Sequence, residues 1–408
     1  MSLLDGRPHF VLRRGVPLIV GALAAGITLY AVGVDLLPAS GAADDTRARW
    51  VEAAPATSAS APDSRTDTKR TLTVLGAGDV LIHPEVWQQA QRDSTAGGFD
   101  FFPMFRPVSE TVSDADLALC HMETPLAAPD GPFAGYPAFS APPQVLQGVK
   151  QTGFDGCSTA SNHSIDRGEA GVVRTIEAFD AARLGHTGTF RSAAEAKTPK
   201  IYAVRGVKVA HLSYALGFNG LNRPQGKQWL ANRIEPAAII AMAKRARAAG
   251  AEIVVLSLHW GTEYQHEPNA DQRNLARVLL AAPDIDVILG HHAHVVQPIE
   301  KIGGKWVVYG MGNQLARHSQ PIDENREGIM ARVTFTEAAP KRWQVTSIEA
   351  IPTWVELTPR IRLVEPARMI ADPTTPAAGR ATYQAAMDRI REHLFTRGAE
   401  KAGLVVTG

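Results

Sequence analysis

The sequence predicts an α/β protein built on a largely parallel sheet, and two observations carry that prediction. Short apolar, β-branched runs alternate with stretches of helical period over most of the chain, the pattern of successive βα units. Five of those runs end at once in polar residues of ligand type, which places them together at the carboxyl edge where open α/β sheets bind ligands. The 408 residues, 45% hydrophobic and 20% charged, have ordinary globular composition and can bury a sizeable core. A formal net charge of +1 leaves no electrostatic footprint for nucleic acid, and none is expected as a partner.

Residues 16–34 are uncharged, about the length of one bilayer crossing, with Arg7, Arg13 and Arg14 before them and Asp35 after. Arginines near a span stay on the cytoplasmic side. The expectation is a cytoplasmic N-terminus over 1–15, a single transmembrane anchor over 16–37 and a body on the far side of the cell membrane. A cleaved signal peptide is the alternative, with Ala39-Ser40-Gly41-Ala42-Ala43 available for cleavage. The apolar stretch is longer than the usual ~7–15 residues of a signal peptide, which favours the anchor. Of the 33 residues in 38–70, 24 are Ala, Ser, Thr, Pro or Asp, so too little apolar surface is available to offset ordering entropy. A disordered linker is expected there.

The body is expected over 71–360. A first strand from 71 ends in Asp79, a second over 116–122 leads to Glu123, and a third from 154 leads to Asn162 and His163. After Gly168, the residues Val172, Ile176, Ala178 and Phe179 recur near helical spacing. A strand over 207–213 and a helix over 236–249 follow. The next strand, 253–258, leads to His259-Trp260-Gly261-Thr262-Glu263-Tyr264. A helix over 271–282 precedes the strand 285–289, which ends in Gly290-His291-His292-Ala293-His294. Strands are expected again at 306–309, 329–335 and 345–351, the last two as a hairpin across a polar turn. A C-terminal extension, 361–408, carries a further helix over 383–394.

Three imidazoles within four residues are hard to explain as packing, because each ring nitrogen needs a partner once buried. Asp79, Glu123, Asn162, His163, His259, His292 and His294 are expected to converge. Their mix of oxygen and nitrogen donors suits zinc, manganese or iron, with donors enough for two ions sharing a carboxylate. Cys120 and Cys157 each lie in a strand leading to a site motif. Buried free thiols are the favoured reading over a disulfide, since a separation of 37 residues gives no spacing signature.

Taken together, six motifs resemble the CapA-type poly-γ-glutamate capsule biosynthesis family, a branch of the calcineurin-like metallophosphoesterase superfamily. They are Gly78-Asp79, His121-Met122-Glu123-Thr124-Pro125-Leu126, and Ala160-Ser161-Asn162-His163-Ser164-Ile165-Asp166-Arg167-Gly168, followed by the His259–Tyr264 and Gly290–Val295 motifs and Tyr309-Gly310-Met311-Gly312-Asn313. The resemblance implies a four-layered α/β/β/α metallophosphoesterase-like sandwich, which here would follow an N-terminal transmembrane helix. It further implies that Asp79 binds one ion, Glu123 bridges, Asn162 and His259 bind a second, and His292 and His294 supply one ligand each. His163 would be the proton donor, oriented by Asp166. His83, His291, Glu263 and Asn313 are additional candidates, with His291 the more replaceable of its cluster. The chain departs from the superfamily in having Leu81 where the first motif has its His, and Glu123 where the bridge is Asp. It also has His121 where the family often has Asn.

Two functions follow as expectations. One is a metal-dependent hydrolase or transferase, acting through a metal-activated water on a phosphoester or on an amide of an anionic envelope polymer. The other is a non-catalytic accessory subunit of a membrane polymer synthase that binds polymer or partner. The presence of His163 favours chemistry.

Overall fold

The computed structural model describes residues 69–407. The expected N-terminus, anchor and all but the last two residues of the linker lie outside the described residues. Among the described residues no helix is long and apolar enough to cross a membrane.

The strands β1 (Thr71–Val80), β2 (Leu117–Met122), β3 (Gly156–Ser158) and β4 (Gly185–Thr187) lie side by side in parallel, as the alternation with helices predicts. The chain then builds a second sheet from β5 (Lys200–Val204), β6 (Val207–Ala215), β7 (Ile253–His259), β8 (Val287–His291), β9 (Ile299–Ile302) and β10 (Lys305–Val308). Its spatial order is β5-β6-β7-β8-β10-β9, parallel through β6, β7, β8 and β10 and antiparallel at both edges. Finally β11 (Asn313–Leu315) returns to pair in parallel with β1. The hairpin β12 (Glu327–Ala339) and β13 (Arg342–Glu356) extends the first sheet antiparallel to β1. Strands β14 (Arg362–Val364) and β15 (Leu404–Val406) both pair with β13, so segment 361–408 adds strands to this sheet as well as the helix Ala377–Phe395.

Alternation along the strands shows which face meets which layer. Ile253 and Val255 of β7, Val287 and Leu289 of β8, Leu72 and Val74 of β1 and Leu117 and Leu119 of β2 share one core between the sheets. The opposite faces meet helices. Val254, Leu256 and Leu258 pack with the helices Pro236–Ala248 and Ala270–Ala281. Leu75, Ala77, Ala118 and Cys120 pack with helix residues such as Val86, Val145 and Phe179. The result is two sheets face to face with helices outside, a mixed α/β sandwich in place of the single sheet edge read from alternation alone.

Cys120 and Cys157 are register partners on β2 and β3, with Cα atoms 4.3 Å apart, and they are joined as a disulfide. The expectation of free thiols is therefore corrected: parallel pairing in register brings together two cysteines whose sequence spacing carried no signal.

Candidate metal centre

The inner-face positions that are apolar at the start of each strand become polar at its end. On β7 the series Ile253, Val255, Ser257 finishes in His259; on β8 Val287 and Leu289 are followed by His291; on β2 Leu117 and Leu119 are followed by His121. Asp79 pairs in register with His121 across β1–β2, and His259 with His291 across β7–β8. Two facing sheets thus deliver acids and imidazoles to one buried point. Close approach there requires glycine: a Cβ on Gly290 would run into the Tyr309 carbonyl, and one on Gly78 into that of Gly312. Beyond β8 the chain holds His292 at φ 92° and His294 at φ 57°, left-handed conformations uncommon for non-glycine residues and concentrated at functional sites.

Asp79 is the hub. Its Oδ1 lies 3.2 Å from His291 Nδ1, and its Oδ2 accepts the His292 backbone N–H at 3.1 Å and lies 3.3 Å from His294 Nδ1. Burial alone would raise its pKa, but the bonds from His291 and His294 outweigh it and hold the carboxyl well below the usual range. Glu123 is as deeply buried. His294 Nε2 stands 3.7 Å from Glu123 Oε1 and His259 Nε2 4.0 Å from it. Burial, reinforced by the negative charges of Asp79 and Glu263, pushes the Glu123 carboxyl up. Burial would lower His294, yet Glu123 and Asp79 hold it up at about 10. Burial and neighbouring imidazoles push His121 and His259 well down and His292 to about 4. These rings stay neutral, the form that binds metal.

Four groups of donor atoms each fall within 4.8 Å of one another: Asp79, Glu123 and His294; His121, Glu123 and His259; Asp79, His121 and His291; Glu263, His292 and His294. The first two share Glu123. Both Glu123 oxygens, His291 Nε2 and His292 Nδ1 are buried with no hydrogen-bond partner. An unsatisfied buried polar group costs ~1–3 kcal/mol, and more when charged, so these orphans fit a divalent transition ion that would satisfy them.

The surroundings orient the donors. Asn313, register partner of Asp79, sets its Oδ1 3.1 Å from His294 Nδ1 while its own amide donates to the Asn325 carbonyl. His294 Nε2 is thereby left for Glu123 or an ion, the arrangement by which a second partner fixes a ligating imidazole. His259 Nδ1 is 2.9 Å from His121 Nε2, and its Nε2 is 3.0 Å from Asn162 Oδ1. His121 in turn rests on Ser158 Oγ at 2.7 Å and stacks on His291. His163 Nδ1 lies 2.7 Å from Asp166 Oδ2, which also accepts the Phe139 N–H at 2.8 Å.

Of the expected residues, Asp79, Glu123, His259, His292 and His294 enter the donor groups, and Asn162 touches His259. Glu263 joins from an exposed loop. His291, expected to be replaceable, is buried against Asp79. His83 is not brought into any donor group: the chain turns after β1, and its ring faces Phe139 and His318 instead. His121 is central although only its departure from the family pattern marked it in sequence. Its place two residues before Glu123 on a short strand was the available signal. His318, half-buried with its ring 5.1 Å from that of His294, and Asn219, beside His163, come from loops with no motif.

A two-sheet sandwich that gathers this oxygen and nitrogen donor set at its strand ends defines a candidate metal-dependent α/β protein. More narrowly, the chain belongs to the bacterial capsule synthesis protein family, PGA_cap, whose pattern matches residues 73–318. It is 29% identical over 275 residues to the capsule biosynthesis protein CapA of Bacillus anthracis, covering 65% of this chain and 64% of that one. To the PGA biosynthesis protein CapA of Bacillus subtilis it is 32% identical over 209 residues, 49% of this chain and 52% of the relative. The chain therefore spans only about half to two thirds of these relatives. Among solved structures, the calcineurin-like phosphoesterase YfkN of Bacillus subtilis aligns at 14% identity and TM-score 0.43, over 79% of this chain and 98% of that one.

Proposed function

We propose that the chain is a metal-dependent hydrolase or transferase of metallophosphoesterase type in capsule biosynthesis. It would act outside the cytoplasm on a phosphoester, or on an amide of poly-γ-glutamate or a related anionic polymer. The observation that carries the reading is Glu123, a buried carboxylate with neither oxygen satisfied, at the intersection of two donor groups. Asp79, Glu123 and His294 would hold one ion; Glu123, His259 and Asn162 a second; His292 stands beside both. Bound there, a divalent ion supplies a Lewis acid that lowers the pKa of water and draws charge from the reacting group. His163 is held by Asp166 through Nδ1, which leaves Nε2 to give or take a proton. The disulfide and the arginine-flanked apolar stretch at 16–34 support an oxidising compartment beyond the membrane.

The test is turnover of p-nitrophenyl phosphate and of γ-linked glutamate oligomers by metal-loaded protein, compared with His163→Ala and with metal content measured in both. Loss of turnover at unchanged metal content supports the assignment. Equal turnover in the variant contradicts the role of His163, and a loaded protein inert toward both classes contradicts the catalytic reading.

A further inference from the structure

The loop after β6 leaves the sheet at the site itself. Ala215 is the register partner of His259, and the Leu216 N–H donates to the His259 carbonyl at 2.9 Å. Phe218 and Leu230 pin the loop into a small core with Ala160, Ile165 and Val172, beside the Asn162–His163 segment. Lys227 closes an ion pair with Glu169 of the helix Gly168–Ala182. So anchored, the loop sets Asn219 Nδ2 3.5 Å from both ring nitrogens of His163.

Residues on either side of Asn219, with Arg223 and Arg233, line a cleft of about 240 Å³. Arg223 spends Nη1 on the Gln228 and Ala231 carbonyls, and Arg233 makes one long bond, Nε to the Leu216 carbonyl at 3.4 Å. Elsewhere Arg191, Arg247 and Arg389 each close on a carboxylate. Among the described residues Arg223 and Arg233 form no ion pair. Burial, then the like charge of Arg233, lowers the pKa of Arg223; Glu235 opposes this without pairing. Two guanidinium forks with free donors, lining one cleft and without an ion pair, are recognition groups for planar oxyanions.

We infer that the Arg223–Arg233 cleft is a substrate subsite that takes an oxyanion, carboxylate or phosphate, flanking the group presented to His163. The inference rests on the metal-site reading above and adds what the substrate must carry: negative charge beside the reacting bond. Arg223 and Arg233 act as positioning residues.

The experiment uses the full chain and measures binding of a γ-linked glutamate decamer, its uncharged γ-linked glutamine counterpart and inorganic phosphate. The parent is compared with Arg233→Gln, the double variant R223Q/R233Q and the charge-preserving Arg233→Lys. Arg233→Gln should weaken the charged decamer or phosphate about tenfold, R223Q/R233Q further, and Arg233→Lys less. The uncharged decamer should not respond. Whichever anion loses affinity identifies the source of the oxyanion. Unchanged affinity for both anions, or an equal loss for the uncharged decamer, overturns the subsite. Metal content is read on the same samples, so a protein that takes up no metal yet shows arginine-dependent anion binding sinks the catalytic reading and leaves the subsite standing.

Discussion

Replacing Glu123 by methionine should move stability and metal affinity in opposite directions. Methionine approximates the shape of glutamate and removes both orphaned oxygens from a site where Glu123 is 1% exposed. Each unsatisfied buried group costs ~1–3 kcal/mol. Against that gain stands the loss of a 3.7 Å attraction to His294, a ring that keeps Asp79 at 3.3 Å. The net expectation is a metal-free Glu123→Met protein more stable than the metal-free parent by about 2 kcal/mol. With metal the order reverses. At a free-ion concentration 100 times Kd the parent gains ~2.7 kcal/mol, and the variant, lacking the carboxylate shared by two of the four donor groups, gains far less. Urea denaturation of both proteins, in chelator and in saturating manganese or zinc, reads all four numbers. A metal-free variant clearly less stable than the parent would show that Glu123 is a structural hydrogen-bonding residue, and the reasoning would fail.

Asn313→Ala should weaken metal binding 10–100-fold by freeing the His294 ring, as a competition titration against a chromogenic chelator would show; unchanged affinity would exclude that role. His211 is fully buried on Ser257, and burial, then the charge of His291, pulls its pKa from 6.5 to about 3. The unfolded chain takes a proton below pH ~6.5 that the folded chain refuses until pH ~3. Stability therefore falls with pH across that window, by about 2 kcal/mol at pH 5 from this group. His211→Asn should flatten the acid limb by that amount in denaturation at pH 5 and 7.5, and an unaltered limb would refute the assignment. Gly290→Ala should cost at least ~1–3 kcal/mol, because its Cβ meets the Tyr309 carbonyl and Trp260; an unchanged urea midpoint would contradict the close approach.

Much of the site was legible because a buried strand that ends abruptly in a polar residue of ligand type has few structural explanations. Asp79, Glu123 and His259 were found in that way. The division into two facing sheets was legible only through the family resemblance and not through periodicity: in β7 every residue from Ile253 to His259 is buried, so no alternation of apolar and polar residues marks the two faces. His318 and Asn219 reach the centre through loops whose course depends on tertiary packing. His83 was an additional candidate, two residues beyond the Leu81 that stands in place of the superfamily's His, but at the start of the helix Pro84–Asp93 it joins none of the donor groups. The disulfide needed the register of β2 on β3, which spacing does not encode.

The most direct test of the metal centre is anomalous diffraction at the manganese, iron and zinc edges from crystals of the full chain grown with each metal. One or two peaks are expected, at least one at coordination distance, about 2.0–2.2 Å, from a Glu123 oxygen and from His294 or His259. No peak at any edge, or a single peak confined to the exposed Glu263 with Glu123 untouched, would contradict it.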